Sequence, residues 1–436
     1  MTGRTLVALL SGQEIGRVVR DRQGRLTFTY REEWRTADDA LPLSLSMPLA
    51  AAEHGHARTE AFLWGLLPDN ERVLDRWARQ FQVSARNAFA LLSHVGEDCA
   101  GAVQFVQPDR LDEIQATTRP EVEWLDEAAI AERLRSLRAD HSAWRAPGDT
   151  GQFSLAGAQP KTALLYHEAR WGVPSGRMPT THILKPPTGE FDGYAENEHL
   201  CLVLARELGL PAAISEIMHF EDEMAIVVER YDRVRTSVLD LAKGQPILRL
   251  HQEDFCQALG LPPTLKYQAE GGPSPEEIAA LLSEHSGRPR EDVATFLDAL
   301  ALSWLIGGTD GHAKNYSILH GTGGRVRLAP LYDVASALPY RNLDPQRLRL
   351  AMKIGGEYRL RDIRLDEWRK LAKNLRLPED EVVGRVAGLA SRLVERVPAV
   401  CAKLQRDGVR HPIVHRLGEA LASRARQCQR LLRSSR

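Results

Sequence analysis

Five cysteines in 436 residues, Cys99, Cys201, Cys256, Cys401 and Cys428, are too few and too scattered for a disulfide framework. None stands in C-x-x-C spacing, which argues against a zinc site and fits a reducing cytoplasm. An excess of charge of one sign is missing as well. Lys plus Arg number 57 against 58 acidic residues, so the net charge of −1 makes no overall electrostatic case for nucleic acid or a membrane surface. Long apolar runs are also lacking. Leu6 to Leu10 is short and the stretch from Phe296 to Ile306 is interrupted by Asp298, so neither a signal peptide nor a membrane span is expected. There is no internal repeat or low-complexity tract. What remains is a chain that is 43% hydrophobic and long enough to bury a large core in two or three domains.

The chain is organised around the run Ile306 to Leu319 and the Leu331-Tyr332-Asp333 that follows it. Asp310, then Asn315 five residues on, then Asp333 on the next strand-like segment is the acid and amide order of a kinase catalytic loop. Phosphoryl transfer needs a carboxylate to orient the attacking hydroxyl and accept its proton, and Asp310 is the candidate base. It also needs oxygen ligands that hold Mg²⁺ against the triphosphate. Asn315 and Asp333 are the candidates, since an amide oxygen binds the metal without adding a second charge beside the base. His312, inside the loop, is expected to pack as a neutral imidazole. Lys314 could neutralise charge on the transferring group. The bare D-x-x-x-x-N pattern occurs often by chance and Asp-Gly is common turn chemistry, so the rest of the chain has to support it.

Residues 1 to about 30 read as three short strands with turns at Ser11-Gly12 and Gly24. Helical spacing follows from Ala61 to Phe81, interrupted at Pro68-Asp69-Asn70, and from Ala85 to Val95. This part carries no acid, base or nucleophile constellation and reads as scaffold or partner surface. A polar stretch from Gln107 to about Pro147, with a helix at Asp126 to Leu137, leads onward. Gln152 to Leu165 reads as two short strands around the small tip Ala156-Gly157-Ala158, flanked by Ser154 and Lys161; it is either a plain hairpin or a loop whose N–H groups approach phosphate. Thr181 to Lys185 places a lysine at the end of an apolar strand, where it could hold α- and β-phosphates or simply emerge before Pro186-Pro187. Ala195 to Leu208 is an amphipathic helix whose Glu196 or Glu198 could pair with Lys185 or merely complement the helix dipole. Met224 to Glu229 reads as a buried strand, whose exit at Glu229 to Tyr231 could meet an adenine edge. From His251 onward the chain is predicted helical, with Glu291 to Ile306 delivering the catalytic loop and a hairpin from Tyr316 to Leu328 presenting Asp333. Residues 401 to 436 hold nine basic residues, from Lys403 to Arg436, against Asp407 and Glu419. They form a solvated basic face or a surface toward phosphate backbone.

Taken together, Ser154 to Lys161, His182 to Lys185, Glu196 to His199, Val228 to Arg233, His251 to Asp254, Thr309 to Asn315 and Leu331 to Asp333 resemble the HipA family of bacterial serine/threonine kinases. The likeness extends through Leu43 to Pro48, Leu66 to Asn70 and Gly96 to Ala102, and so covers nearly the whole chain.

The resemblance implies an α+β chain with a protein-kinase-like bilobal fold. Its parts would be a small α/β N-terminal subdomain over 1–110, a connector over 111–150, a small-lobe part with phosphate loop and ATP lysine over 151–235, and a mostly helical C-terminal lobe over 236–436. It implies ATP and Mg²⁺, with Asp310 and Lys185 catalytic, and Asn315 and Asp333 on the metal. Ser154, Ala156, Gly157, Ala158, Lys161, Lys185, Glu229, Tyr231, His312, Lys314, Asn315 and Asp333 would contact the nucleotide. It further implies the toxin of a type II toxin–antitoxin pair, cytoplasmic and without a membrane partner, causing growth arrest and persistence. Such a toxin phosphorylates a translation protein such as an aminoacyl-tRNA synthetase and inactivates itself by autophosphorylation, here at Ser154. A HipB-like helix-turn-helix antitoxin would be the partner, with DNA reached mainly through it. The competing readings are a small-molecule kinase, which would need no protein acceptor, and a catalytically silent corepressor, against which the intact Asp310, Asn315 and Asp333 count.

Overall fold

The computed structural model describes residues 4–116, 122–145, 153–176, 178–189, 191–235 and 247–433. Pro147, Gln152 and Arg436, which figure in the sequence reading, lie outside them. The chain is a mixed α and β protein of two compact units. One comprises Met1–Thr188, Met218–Pro263 and Ile318–Arg325, the other Gly189–Ile217, Thr264–Ser317 and Val326–Arg436.

The first unit begins with a five-stranded antiparallel sheet made of β1 (Thr5–Leu10), β2 (Gln13–Arg20), β3 (Leu26–Tyr30), β4 (Glu53–His54) and β5 (Val103–Val106), in the order β4-β3-β2-β1-β5. The Ser11-Gly12 turn closes the first hairpin with both residues at positive φ, 49° and 83°, the geometry that matches strand twist. The helices His56–Gly65, Glu71–Phe81 and Ala88–Val95 bring Phe62, Leu63, Trp77, Phe89 and Leu92 into one buried cluster with Leu6, Ala8 and Phe28. The break at Pro68 to Asn70 predicted from sequence is present, and Asn70 caps the second of these helices by accepting the Arg72 N–H at 3.0 Å.

A second, six-stranded sheet follows, built from β6 (Val122–Leu125), β7 (Thr162–His167), β8 (Arg170–Pro174), β9 (His182–Lys185), β10 (Ser215–Phe220) and β11 (Glu223–Glu229). Its order is β10-β11-β9-β7-β8-β6. The polar stretch that follows the first sheet therefore supplies an edge strand and a helix, Glu127–Ala139, whose Ile130, Ala131 and Leu134 pack on Leu164, Trp171 and Leu184. The stretch around Ala156-Gly157-Ala158 is not a hairpin. Phe153 makes a single bridge to Asp98, and regular strand begins only at Thr162.

The second unit is mainly helical. The helix Tyr194–Glu207 ends before Gly209, at φ +88°, and Pro211. The helix Pro275–His285 starts in a capping box between Ser274 and Glu277 with proline at its first position. The helix Pro289–Ile306 ends at Gly307, left-handed at φ +66°. The helices Leu365–Asn374, Glu379–Arg406 and Ile413–Leu431 complete the unit. Trp304 and Trp368 meet edge to face at 5.6 Å in its core, and Arg424 is buried there too, over the Trp304 ring and donating to the Leu360 carbonyl. One member of the basic C-terminal series is thus structural. Among the described residues no helix is long and apolar enough to cross a membrane.

Candidate active site

The helix Pro289–Ile306 is apolar because it is buried, and its left-handed stop at Gly307 turns the chain sharply into the Thr309 to Asn315 loop. The loop holds itself. The Asp310 carbonyl accepts the His312 N–H at 2.8 Å and the Asn315 side-chain N–H at 2.7 Å, and the His312 carbonyl accepts the Asn315 N–H at 2.9 Å. Because the Asn315 amide nitrogen is turned to the loop, its oxygen is the atom turned away. Asp310 keeps its side chain about two-thirds exposed, at 66%, with Oδ1 taking the Tyr267 hydroxyl at 2.7 Å. His312 is buried, its Nε2 4.0 Å from that carboxylate and its ring edge to face with Tyr267. Lys314 is buried as well, and its carbonyl accepts the Tyr332 hydroxyl at 2.7 Å.

Asp333 follows at φ +51°, a left-handed backbone that only a few non-glycine residues adopt, Asp among them. Asp310, Asn315 and Asp333 line one cavity of about 280 Å³ with Phe191, Tyr194 and Tyr340. Burial, reinforced by the carboxylates of Glu198, Asp333 and Asp310, pushes the Tyr194 phenol well above its ordinary pKa, so it stays a neutral wall. The chemistry of this set is that of one carboxylate able to take a proton and two hard oxygen donors. An Asn and an Asp fit Mg²⁺, which binds through one or two protein oxygens and completes its shell with water and phosphate.

A residue that sequence reasoning passed over holds this wall together. Asn197, fully buried between Glu196 and Glu198, donates to the Ser336 carbonyl at 2.8 Å and accepts the Ser336 N–H at 3.0 Å. Ser336 in turn donates to the Ile306 carbonyl at 2.5 Å. One amide thereby ties the acidic helix, the segment after Asp333 and the entry to the Thr309 to Asn315 loop. A buried Asn in an apolar helix face was the available signal.

The first unit carries the remaining candidates. Ser154 is buried, donating its hydroxyl to the Leu66 carbonyl at 2.7 Å and its N–H to the Asp98 carbonyl at 3.0 Å. The Gly157 carbonyl accepts the Asp69 N–H at 3.1 Å and the Ala158 carbonyl accepts the Asn70 side chain at 3.2 Å. The tip is thus fastened to the break between the two helices of the N-terminal part. Gly157 sits at φ +99°, a backbone conformation that favours glycine. Lys161 donates to the Ala156 carbonyl and lies over the Trp144 ring. Lys185 is buried at the end of β9, opposite Ile226 of β11, and Glu229 faces His182 in the same register. Tyr231 donates to Gln252.

Behind Glu229 lies a cluster that sequence reading did not identify. Asp98 accepts the Thr180 N–H and hydroxyl at 3.0 and 2.6 Å and pairs with Arg233 at 2.9 Å and Arg249 at 2.5 Å. Asp232 pairs with Arg230 and Arg233, both at 2.9 Å, and accepts the Gly101 N–H at 2.7 Å. Burial alone would raise Asp98, but the guanidiniums of Arg249, Arg230 and Arg233 hold it well below the usual carboxylate range. Burial with the Arg230 charge pushes Arg233 down to about 10.

The chain has relatives along nearly its whole length. The HipA N-terminal domain family matches residues 6–106 and the HipA-like C-terminal domain family residues 153–398. The Y4mE protein of Sinorhizobium fredii, named as a candidate kinase, is 37% identical over 98% of this chain and 99% of its own. The serine/threonine-protein kinase toxin HipA of Shewanella oneidensis is 30% identical, covering 86% of this chain and 84% of its own. Among solved structures, the Shewanella oneidensis HipA, HipB and operator DNA complex contains a chain that superposes with a TM-score of 0.80 at 26% identity, over 97% of each chain. With both parts matched by HipA domain families and a kinase toxin HipA 30% identical over most of its length, the chain belongs to the HipA family and is a serine/threonine kinase.

Proposed function

We propose that this kinase transfers the γ-phosphoryl group of ATP to a serine or threonine of a translation protein, such as an aminoacyl-tRNA synthetase, as the toxin of a type II toxin–antitoxin pair. Its partner is a HipB-like helix-turn-helix antitoxin, through which it reaches DNA; the likeness to the HipA chain of the Shewanella complex supports this. The observation that carries the chemistry is the shared cavity of Asp310, Asn315 and Asp333. Asp310 takes the acceptor proton as the acceptor oxygen bonds to the γ-phosphorus and the bond to the β,γ-bridging oxygen breaks. Asn315 and Asp333 would hold magnesium, which would supply neutralisation of phosphate charge. Lys185 and Lys161 neutralise phosphates, while the N–H groups from Ala156 to Ala158 approach them and Glu229 and Tyr231 frame the base. Ser154 is the autophosphorylation site, and its hydroxyl must first leave the Leu66 carbonyl. The phosphate adds nearly two negative charges to the loop.

The test is intact-mass and phosphosite mapping of the full chain after incubation with Mg-ATP, with Asp310→Asn alongside. One phosphate gained on Ser154 in the wild type alone is expected. A protein that binds ATP and is unmodified in both forms would remove self-inactivation from the reading.

A further inference from the structure

We propose that Tyr267 is a positioning residue for phosphoryl transfer, its phenol hydroxyl setting the rotamer of the Asp310 carboxylate. This rests on reading Asp310 as the base. An aspartate whose side chain is two-thirds exposed has little packing to fix its χ angles, and a base must point at the proton that it takes. The Tyr267 hydroxyl supplies a fixed donor, 2.7 Å from Oδ1, which leaves Oδ2 to face the acceptor. Tyr267 is itself held on several sides. Its ring stands edge to face with His312 of the catalytic loop, centroids 4.9 Å apart at 82°. Its carbonyl accepts the N–H groups of Glu270 and Gly272, both at 2.9 Å. Gly272 has no room for a Cβ, which would collide with the Leu265 and Tyr267 carbonyls. On either side, the Lys266 carbonyl accepts the Ala313 N–H at 3.1 Å and the Gln268 side chain accepts the Lys353 N–H at 2.7 Å. A strap 43 residues upstream of the base is therefore docked on the loop at both its backbone and its side chain. A hydroxyl on so exposed a carboxylate adds little to folding, so its effect belongs to the chemistry.

The experiment compares wild type, Tyr267→Phe, Asp310→Asn and the double variant. It follows ADP formation from Mg-ATP with and without a degenerate serine/threonine peptide library, so that any acceptor is counted. Phenylalanine keeps the ring against His312 and removes only the hydroxyl. Tyr267→Phe is expected to lower kcat ~10-fold, the scale of one hydrogen bond to a charged group, with the KM for ATP and the Tm unchanged. In the Asp310→Asn background it should add no further loss. A wild-type kcat in Tyr267→Phe while Asp310→Asn is inactive overturns the positioning role alone. A raised kcat overturns it too, because the tyrosine would then be competing with the acceptor. Near-normal turnover by Asp310→Asn, or no ADP from the wild type, overturns the base and this proposal with it.

Discussion

The five-charge cluster that contains Asp98 and the polar trio of Asp310, Asn315 and Asp333 make opposite use of water. At Asp98, Arg230, Asp232, Arg233 and Arg249 every carboxylate oxygen is met by an arginine, and all five side chains are buried. At Asp310 the carboxylate is mostly exposed and the loop satisfies its own backbone instead. The buried carboxylates are met from within the fold, whereas Asp310 is braced from one side and left open on the other.

That contrast predicts which property each substitution damages. Asp98→Ala strips a buried centre of its main anion and leaves three guanidiniums around one carboxylate. It should cost ~3–5 kcal/mol in denaturant unfolding, and a loss below ~1 kcal/mol would break the comparison. Asp310→Asn should lower phosphoryl transfer by at least ~100-fold with the unfolding midpoint unmoved. A stability loss there comparable to that of Asp98→Ala would mean that both sites are structural.

Buried histidines sharpen the point through pH. Burial pushes His182 and His199 down to about 4 and His251 to about 3, against ~6.5 in the unfolded chain. Between those limits the unfolded state binds more protons. The stability these groups confer is therefore complete above pH ~6.5 and is lost as pH falls toward 4, with a slope of up to ~1.4 kcal/mol per pH unit for each histidine. Asp98, depressed in the fold, adds its own loss only below pH ~4. Denaturant midpoints measured from pH 7 to 4 check this, and a flat profile would count against neutral burial of the three histidines. The smallest effect concerns neither cluster. The β7–β8 turn places Glu168 and Ala169 at φ 47° and 59°, so Ala169→Gly should stabilise the chain by up to ~1 kcal/mol and leave kinase activity alone.

Local chemistry was legible in the sequence, and tertiary closure was not. The Pro68 to Asn70 break, the helix running to Ile306, the Asp310-to-Asn315 spacing and the β9 and β11 strands are written within a few residues of themselves. The phosphate-loop stretch misled as a hairpin because what shapes it is 88 residues away, at Leu66 and Asn70. β6, only Val-Glu-Trp-Leu, lacks a periodic run long enough to stand out from the polar residues around it. Asn197 and Tyr267 likewise act through partners 139 and 43 residues distant, which no spacing rule reports.

The strand order of the six-stranded sheet has a consequence for how the lysine of β9 fluctuates. β9 is hydrogen-bonded to β11 on one side and to β7 on the other, whereas β6 and β10 each have a single neighbour. Deuterium should therefore reach the amides of β6 and β10 first and those of Ile183 to Lys185 among the last in the sheet. Lys185, paired with Ile226, thus has its backbone anchored at the end of the strand that the sheet holds from both sides.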